Sequence, residues 1–131
     1  MTQTKQNRNL QLAHAVLAWN TQYLNRDSVL SEALIGECFA EKFIVEPNGR
    51  HYAADLKTYK EFLEGMKSSM SSIQYHVMHT VADEESVVFS MHVKISKHDN
   101  TTENYIAMLL VKFNADEKVT LWHEVYLPAS E

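Results

Sequence analysis

IQYHVMHTVADEESVVFSMHVKISKHDNTTENYIAMLLVKFNADEKVTLWHEVYL, residues 73–127, carries the pattern from which we infer the architecture. Its side chains alternate with a period of two, and β-branched and aromatic residues dominate, which indicates β-strands. Polar connections at 83–86, 98–102 and 115–118 interrupt the pattern, and their short lengths are typical of antiparallel hairpins. We therefore predict four strands in an antiparallel meander, at 73–82, 87–97, 103–114 and 119–127.

Helical periodicity precedes these strands. Between residues 9 and 26, apolar residues recur at spacings of three, four or seven along two adjacent stripes, which predicts a first helix. Asp27 or Ser28 can cap a second helix. We expect that second helix to carry Cys38 and to run into Phe39.

A short extended piece and a third helix complete the amino-terminal half. Residues 43–46 are predicted to be extended and to be followed by a turn at 47–49. Asp55 is a good N-cap, and apolar residues recur after it at steps of three and four as far as Met70. Helices first and a long antiparallel meander last is an α+β order.

The length of the chain, 131 residues, is that of one domain. We predict a polar amino-terminal tail at 1–8 and a single domain at 9–128. The amino terminus lacks the apolar run of a signal peptide, and no stretch approaches the roughly 20 apolar residues that a membrane span needs. Cys38 is the only cysteine, so no disulfide framework exists and a reducing compartment is expected. We therefore predict a cytoplasmic protein without a membrane partner.

Charge and motif content argue against several functional classes. The net charge is −5, and the 12 basic residues are scattered, whereas nucleic-acid binding needs clustered Lys and Arg. None of the seven histidines pairs at the four-residue helical spacing of a zinc site. His76 and His79 lie three apart, which sends them to opposite faces of a strand. A P-loop, a GxGxxG fingerprint and a GxSxG elbow are all absent, so we expect no metal and no cofactor.

The predicted strands are apolar on both faces. In the last strand one face holds Leu121, His123, Val125 and Leu127, and the other holds Thr120, Trp122, Glu124 and Tyr126. A sheet with one solvated face would alternate more cleanly between apolar and polar residues. If the helices pack on one face, a second subunit is the simplest cover for the other. We therefore predict a homodimer through the sheet.

The order of elements resembles that of the NTF2-like superfamily, which includes SnoaL-like and ketosteroid isomerase-like proteins. Three stretches are similar to motifs of that superfamily: FAEKFIVEPNG at 39–49, YKEFL at 59–63 and FNADEKVTLWHEVY at 113–126. The resemblance extends over about residues 9–127. It implies a cone, in which three N-terminal helices pack on a curved, mainly antiparallel sheet around a pocket for a small hydrophobic molecule.

The resemblance also implies roles for particular residues. In isomerase-like members the acid before the proline is the general base, a position that Glu46 occupies here. Glu124 or His92 would be its acid or orienting partner, although a shift of one residue in strand register would put Met91 and Val93 inside in place of His92. The predicted pocket walls are Trp19, Tyr23, Tyr59, Phe62, Met66, Leu109, Trp122 and Tyr126.

Departures from the family pattern reduce the number of reactions that the resemblance supports. Trp19, Leu63 and Leu109 stand where ketosteroid isomerases have the Tyr and Asp donors of the oxyanion site. The epoxide hydrolases use an Asp-Arg-Asp trio, but no arginine lies on the four predicted strands. Two hypotheses remain open at this point. One is a cofactor-free isomerase, cyclase or dehydratase acting on a hydrophobic substrate, and the other is a non-catalytic ligand-binding or dimerisation module.

Overall fold

The structure, a computed structural model, describes residues 4–129 and has the predicted α+β architecture. Three helices and six strands follow one another along the chain. In order they are α1 Lys5–Tyr23, α2 Glu32–Ile35, β1 Phe39–Pro47, β2 Tyr52–Asp55, α3 Leu56–Lys67, β3 Met70–Ala82, β4 Ser86–Lys97, β5 Thr102–Phe113 and β6 Val119–Pro128.

The six strands form one mixed sheet in the order β2-β1-β6-β5-β4-β3. The meander β3–β6 is confirmed as antiparallel, and its strand ends lie within three residues of the predicted ones. β1 pairs with β6 in the parallel sense, and this is the only parallel pair among the described residues. Bulges in β3 and at the β5–β6 and β1–β6 pairings interrupt the ladders, and bulges of this kind bend strands.

Helix α1 begins four residues earlier than predicted and also ends earlier. Thr4 is its N-cap, because the Thr4 side chain accepts a hydrogen bond from the Asn7 backbone N–H (3.1 Å). Residues 5–8 of the predicted tail are therefore helical, while residues 1–3 lie outside the described part of the chain. The helix ends at Tyr23, and Leu24 caps it.

The predicted second helix is wrong in extent. Only Glu32–Ile35 is helical, capped by Ser31, and Phe39 already belongs to a strand. Phe39 pairs with Val119 of β6, and the Val119 backbone N–H donates to the Cys38 carbonyl (2.8 Å). Pairing with a strand that is distant in sequence thus makes β1 nine residues long, where only four extended residues were predicted.

Helix α3 begins where the sequence predicts. The Asp55 side chain accepts from the Thr58 backbone N–H (2.8 Å), and Thr58 Oγ1 accepts in return from the Asp55 backbone N–H (3.0 Å). This reciprocal capping box fixes the first turn of α3 directly after the edge strand β2. As a result α3 lies against the same end of the sheet as β1 and β2.

The core lies between the helices and the face of the sheet that they contact, which we call the inner face. Inward side chains alternate with outward ones along each long strand, so β4 buries Val87, Phe89, Met91 and Val93. The opposite, outer face is open to solvent. There the register places Ile106 opposite Leu127 and Met108 opposite Val125, and all four side chains are about half exposed or more.

Candidate functional site

A cavity of about 200 Å³ opens between α3, the end of α1 and the inner face of the sheet. We call it the inner cavity. Its walls are mostly aliphatic and aromatic, and Glu124 is the one side chain in the lining that carries a charge at neutral pH in its ordinary state. The polar lining residues are Asn20, Tyr59, Tyr75, Tyr105, Trp122, Glu124 and Tyr126. An apolar hollow with a few convergent polar groups is the usual form of a small-molecule site.

Glu124 reaches the inner cavity because of the alternation of β6. Trp122, Glu124 and Tyr126 share the inner face of that strand, as the period of two predicts. Burial raises the pKa of Glu124 to about 7, and a hydrogen bond from the Trp122 side chain opposes part of that rise. Both protonation states are therefore populated near neutral pH, which suits a group that must accept and return a proton.

Two buried phenols lie within range of the Glu124 charge. Burial is the main cause that raises the pKa of Tyr59, and the negative charge of Glu124 adds to it. Burial likewise raises the pKa of Tyr75, although its hydrogen bond from Asn20 opposes the rise; the Glu124 charge is a smaller contribution. Both hydroxyls therefore stay protonated at neutral pH and can donate hydrogen bonds.

Asn20 fixes the position of the Tyr75 hydroxyl. Asn20 is a buried amide on α1, and its Nδ2 donates to the Tyr75 hydroxyl oxygen at 3.0 Å. The Tyr75 oxygen is thus used as an acceptor, which leaves its own O–H free to donate. Neither residue was among those selected from the sequence. The alternation of faces along β3 could have identified Tyr75, since Tyr75 lies two residues after the buried Ile73 and shares its face of the strand.

The turn between β1 and β2 is tied to β6 at Glu124. Asn48 and Gly49 have positive φ angles of 50° and 87°, and the Arg50 N–H donates to the Pro47 carbonyl (3.1 Å), which closes the turn. The Asn48 backbone N–H donates to the Glu124 carbonyl (2.8 Å), and the Tyr126 N–H donates to Asn48 Oδ1 (2.7 Å). These two bonds hold the β6 backbone on either side of Val125, directly after Glu124.

A second hollow of about 400 Å³ adjoins the inner cavity on its solvent side. We call it the outer hollow. The two share walls from β1, α3 and β6, namely Val45, Pro47, Tyr59, Phe62 and Tyr126. Phe62 is 56% exposed and stacks on Tyr59 at a ring-centroid distance of 5.9 Å, so it stands at the rim between them. Arg50, Tyr52 and Thr58 extend the outer hollow beyond that rim.

Six of the residues selected from the sequence line the inner cavity together. They come from α3 and from β6: Tyr59, Phe62, Met66, Trp122, Glu124 and Tyr126. The helical spacing of the α3 residues and the strand spacing of the β6 residues each put three side chains on one face. Two short periodic patterns thus account for the part of the cavity that was selected correctly.

Glu46 does not line the cavity, which corrects the position implied by the family resemblance. Val45 and Pro47 point inward from β1, so Glu46 between them points to the outer face. Its side chain is 31% exposed, and its carboxylate oxygen lies 3.7 Å from His51 Nδ1. In register Glu46 is the partner of His123 on β6, another residue of the outer face. Glu46 is therefore separated from the inner cavity by the sheet.

His92 also lies on the outer face. Its neighbours Met91 and Val93 are buried on the inner face, so the alternative register considered above is the observed one. His92 is exposed and stands directly opposite His76 of β3, with ring centroids 6.5 Å apart. The pair lines a shallow surface groove rather than the inner cavity.

Trp19, Tyr23 and Leu109 are likewise absent from the cavity lining. Trp19 is only 6% exposed and packs on Tyr23 and on Phe39, whose ring also contacts Trp122. Trp19 therefore belongs to the aromatic core rather than to the cavity wall. Leu109 is completely buried on β5 opposite Glu124 and is core. The buried indole N–H of Trp19 has no hydrogen-bond partner among the described residues.

The residues that the structure describes offer neither a metal site nor a membrane-spanning helix. No group of three or more His, Cys, Asp or Glu side chains between residues 4 and 129 is arranged to hold a metal ion. Within the same range, no helix combines the length and the apolar character needed to cross a membrane.

No protein-family model and no curated protein matches the sequence. Solved structures do match. An LEH-like epoxide hydrolase from M. tuberculosis superposes with a TM-score of 0.76 at 11% identity, over 96% of this chain and 83% of that one. An NTF2-like protein from Anabaena variabilis gives 0.73 at 17% identity, over 100% and 96%.

A third match is the epoxide hydrolase/cyclase-like enzyme SalBIII, which has a role in pyran ring formation in the polyether salinomycin. Its TM-score is 0.72 at 12% identity, over 92% of each chain. Identities this low relate folds, and all three matches extend over most of both chains. The predicted NTF2-like fold is therefore confirmed.

Proposed function

We propose that this protein binds a small, mostly apolar molecule in the inner cavity and catalyses cofactor-free acid–base chemistry on it, with Glu124 as the proton-transferring residue. One observation carries the proposal: the carboxyl group of Glu124 faces an apolar cavity that raises its pKa to about 7. The structural matches to epoxide hydrolase-like and cyclase-like enzymes support a catalytic use of this fold, and they do not identify the reaction.

The chemistry that fits these groups is proton transfer next to a carbonyl group. Ionised Glu124 removes a proton from carbon, and the electron pair of the C–H bond moves into an enolate. The protonated hydroxyls of Tyr59 and Tyr75 donate hydrogen bonds to the enolate oxygen and stabilise its charge. In a β,γ-unsaturated carbonyl compound the enolate is conjugated, and Glu124 returns the proton to its γ-carbon, which isomerises the substrate. Alternatively the enolate carbon attacks a second carbonyl carbon within the same molecule, which closes a ring, and Glu124 returns its proton to the alkoxide oxygen that forms there.

The two tyrosines replace the oxyanion donors that the sequence lacks at Trp19, Leu63 and Leu109. They come from α3 and β3, whereas the family pattern takes its donors from other positions. A preorganised donor of this kind typically contributes two to three orders of magnitude in rate. For this reason the missing family donors do not argue against catalysis here.

The size of the inner cavity limits the substrate. At about 200 Å³ it is somewhat larger than the roughly 150 Å³ apolar cavity that holds one benzene molecule. One ring with a few substituents fills it, and any longer chain must extend past Phe62 into the outer hollow. We therefore propose a monocyclic or short-chain carbonyl compound as the substrate.

Hydrogen–deuterium exchange tests the proposal without knowledge of the natural substrate. A panel of monocyclic ketones in heavy water is incubated with the protein, and NMR follows loss of the hydrogens next to the carbonyl group. We expect faster exchange for at least one ketone, and we expect Glu124→Gln to lower the rate by about 10²–10⁴-fold. The matched control is Glu46→Gln, which changes a carboxylate on the outer face and should exchange within about twofold of the wild type.

Exchange that is equally fast in Glu124→Gln would remove Glu124 from the mechanism. The absence of exchange for every ketone, together with tight binding of one of them, would favour the non-catalytic binding module instead.

A homodimer through the outer face is a separate proposal. Ile106, Met108, Val125 and Leu127 form adjacent exposed apolar pairs across β5 and β6, and a patch of this kind is typically covered in solution. Light scattering on Val125→Glu should then report a lower mass than the wild type. Val29→Glu is the control, because Val29 is 86% exposed and lies outside the sheet. Equal masses for all three proteins would contradict a dimer through this face.

We also propose a cytoplasmic location. Burial is the main cause that raises the pKa of the Cys38 thiol to about 11, so this cysteine stays protonated and behaves as a structural thiol. A single unreactive thiol is consistent with a reducing compartment.

A further inference from the structure

We propose that Arg50 binds an anionic group of the substrate, so that the ligand of this site is an apolar molecule with a carboxylate at the end opposite its reacting atoms. This proposal rests on the proposed function of the same site. It concerns the outer hollow, which Glu124 does not line.

The backbone holds Arg50 in a defined place relative to Glu124. The Arg50 N–H donates to the Pro47 carbonyl and closes the turn, and Asn48 in the same turn is hydrogen-bonded to the Glu124 carbonyl and to the Tyr126 N–H of β6. The turn therefore moves with the strand that carries Glu124. A side chain on it can position one end of a ligand while the other end meets the carboxyl group.

The surroundings of Arg50 leave its charge available to a ligand. The other residues that line the outer hollow are all neutral: Val45, Pro47, Tyr52, Ala53, Ala54, Thr58, Tyr59, Phe62 and Tyr126. Within residues 4–129 no Asp or Glu oxygen lies within 4.0 Å of the Arg50 guanidinium. The nearby carboxylate of Glu46 is turned to the outer face, where it faces His51. A planar guanidinium without an acidic partner is suited to bidentate binding of a carboxylate.

The two hollows together form one site whose charge and polarity change along its length. A cation stands at the solvent end, neutral aromatic and aliphatic walls make up the middle, and the Glu124 carboxyl group lies at the inner end. An anionic head cannot enter the inner cavity without approaching a second carboxylate in apolar surroundings, an arrangement that is strongly disfavoured. Such a ligand therefore enters with its apolar end first and keeps its head at Arg50. The charge layout thereby sets the orientation of the ligand as well as its class.

The expected contribution is moderate because Arg50 is exposed to solvent. A charge-assisted pair at a surface that is partly shielded by Phe62 and Tyr126 should strengthen binding about tenfold. It should also weaken as the salt concentration rises, since screening acts on exposed charges.

Binding of a matched pair of probes tests the proposal. The probes are 3-phenylpropionate and 3-phenylpropan-1-ol, which share the ring and the chain and differ in the charge of the head group. Calorimetry at low salt gives both dissociation constants for the wild type, Arg50→Gln, Arg50→Lys and the control Arg26→Gln. Arg26 is an exposed arginine outside both hollows, so its replacement changes the net charge by the same amount as Arg50→Gln.

We expect the wild type and Arg26→Gln to bind the acid about tenfold more tightly than the alcohol. Arg50→Gln should lose that preference while it keeps the affinity for the alcohol, and Arg50→Lys should keep only part of it. If the alcohol binds to the wild type and the acid binds no more tightly, or if Arg50→Gln retains the preference, the role of Arg50 is refuted while the apolar site stands. If neither probe binds to the wild type, the proposed function and the role of Arg50 are both refuted.

Discussion

Glu124→Gln should change how the stability of this protein depends on pH. In the folded protein, burial raises the pKa of Glu124 from its ordinary value of 4.5 to about 7. Between these two pH values the folded protein holds a proton on Glu124 that the unfolded chain has lost. The free energy of unfolding of the wild type must therefore fall as pH rises from about 4.5, and this fall is complete above about pH 7.

The structure gives the approximate size of this effect. A difference of 2.5 between 4.5 and about 7, at about 1.4 kcal/mol for each pKa unit, corresponds to about 3 kcal/mol. Glutamine has the shape of the protonated acid, and its side-chain oxygen can accept the hydrogen bond from Trp122. Near pH 5 the two proteins should therefore differ by less than about 1 kcal/mol. Near pH 8 Glu124→Gln should be the more stable protein by about 2 to 3 kcal/mol.

Urea unfolding of both proteins at about pH 5 and about pH 8 measures this change. For a domain of this size it should appear as a shift of about 1 to 2 M in the difference between the two urea midpoints. Tyr59 and Tyr75, the phenols that face Glu124, stay protonated over this range because their pKa values are raised, so they add no pH dependence of their own. Glu46→Gln is the control and should follow the wild type at both pH values.

A difference between wild type and Glu124→Gln that stays the same at both pH values would refute the reasoning. It would mean that the Glu124 carboxyl group titrates alike in the folded and unfolded chains, so that the cavity does not desolvate it. The acid–base proposal would then lose its main support.

Three further predictions concern the walls of the site and the turn beside it. Asn48→Ala should destabilise the fold by about 1 kcal/mol more than Asn100→Ala. Both positions have positive φ (50° and 68°), but only the Asn48 side chain accepts a hydrogen bond from β6. Equal losses of stability in urea unfolding would contradict this. Tyr75→Phe should lower the free energy of unfolding by about 1–3 kcal/mol, because it leaves the buried Asn20 amide without its acceptor. A double-mutant cycle with Asn20→Ala should give a non-zero coupling energy, whereas additive losses would show that the bond contributes nothing. Met66→Trp should fill the inner cavity and abolish binding of 3-phenylpropan-1-ol in calorimetry, whereas retained affinity would place that probe elsewhere.

The secondary structure was predictable wherever short-range interactions determine it. The Asp55 cap bonds to a residue three positions away. The period of two indicates strands at β3–β6 regardless of which strands they pair with. Prediction failed at 36–42, where residues 36–38 form a turn after the short helix α2 and residues 39–42 belong to β1. Phe39 pairs with Val119 of β6, about 80 positions later in the sequence, and the Cys38 carbonyl accepts from the Val119 N–H, so no local pattern indicates this pairing.

The sequence by itself determined the α+β order, the meander and the face of β6 that carries Trp122, Glu124 and Tyr126, because each depends on the periodicity of a single segment. Only the tertiary structure decided that Glu124 rather than Glu46 faces the cavity. A shift of one residue in a strand exchanges its two faces, and the parity of β1 is set by its contacts with other elements. The raised pKa of Glu124 has the same origin, since the walls that exclude water from it come from α1, α3, β1 and β3 as well as from its own strand.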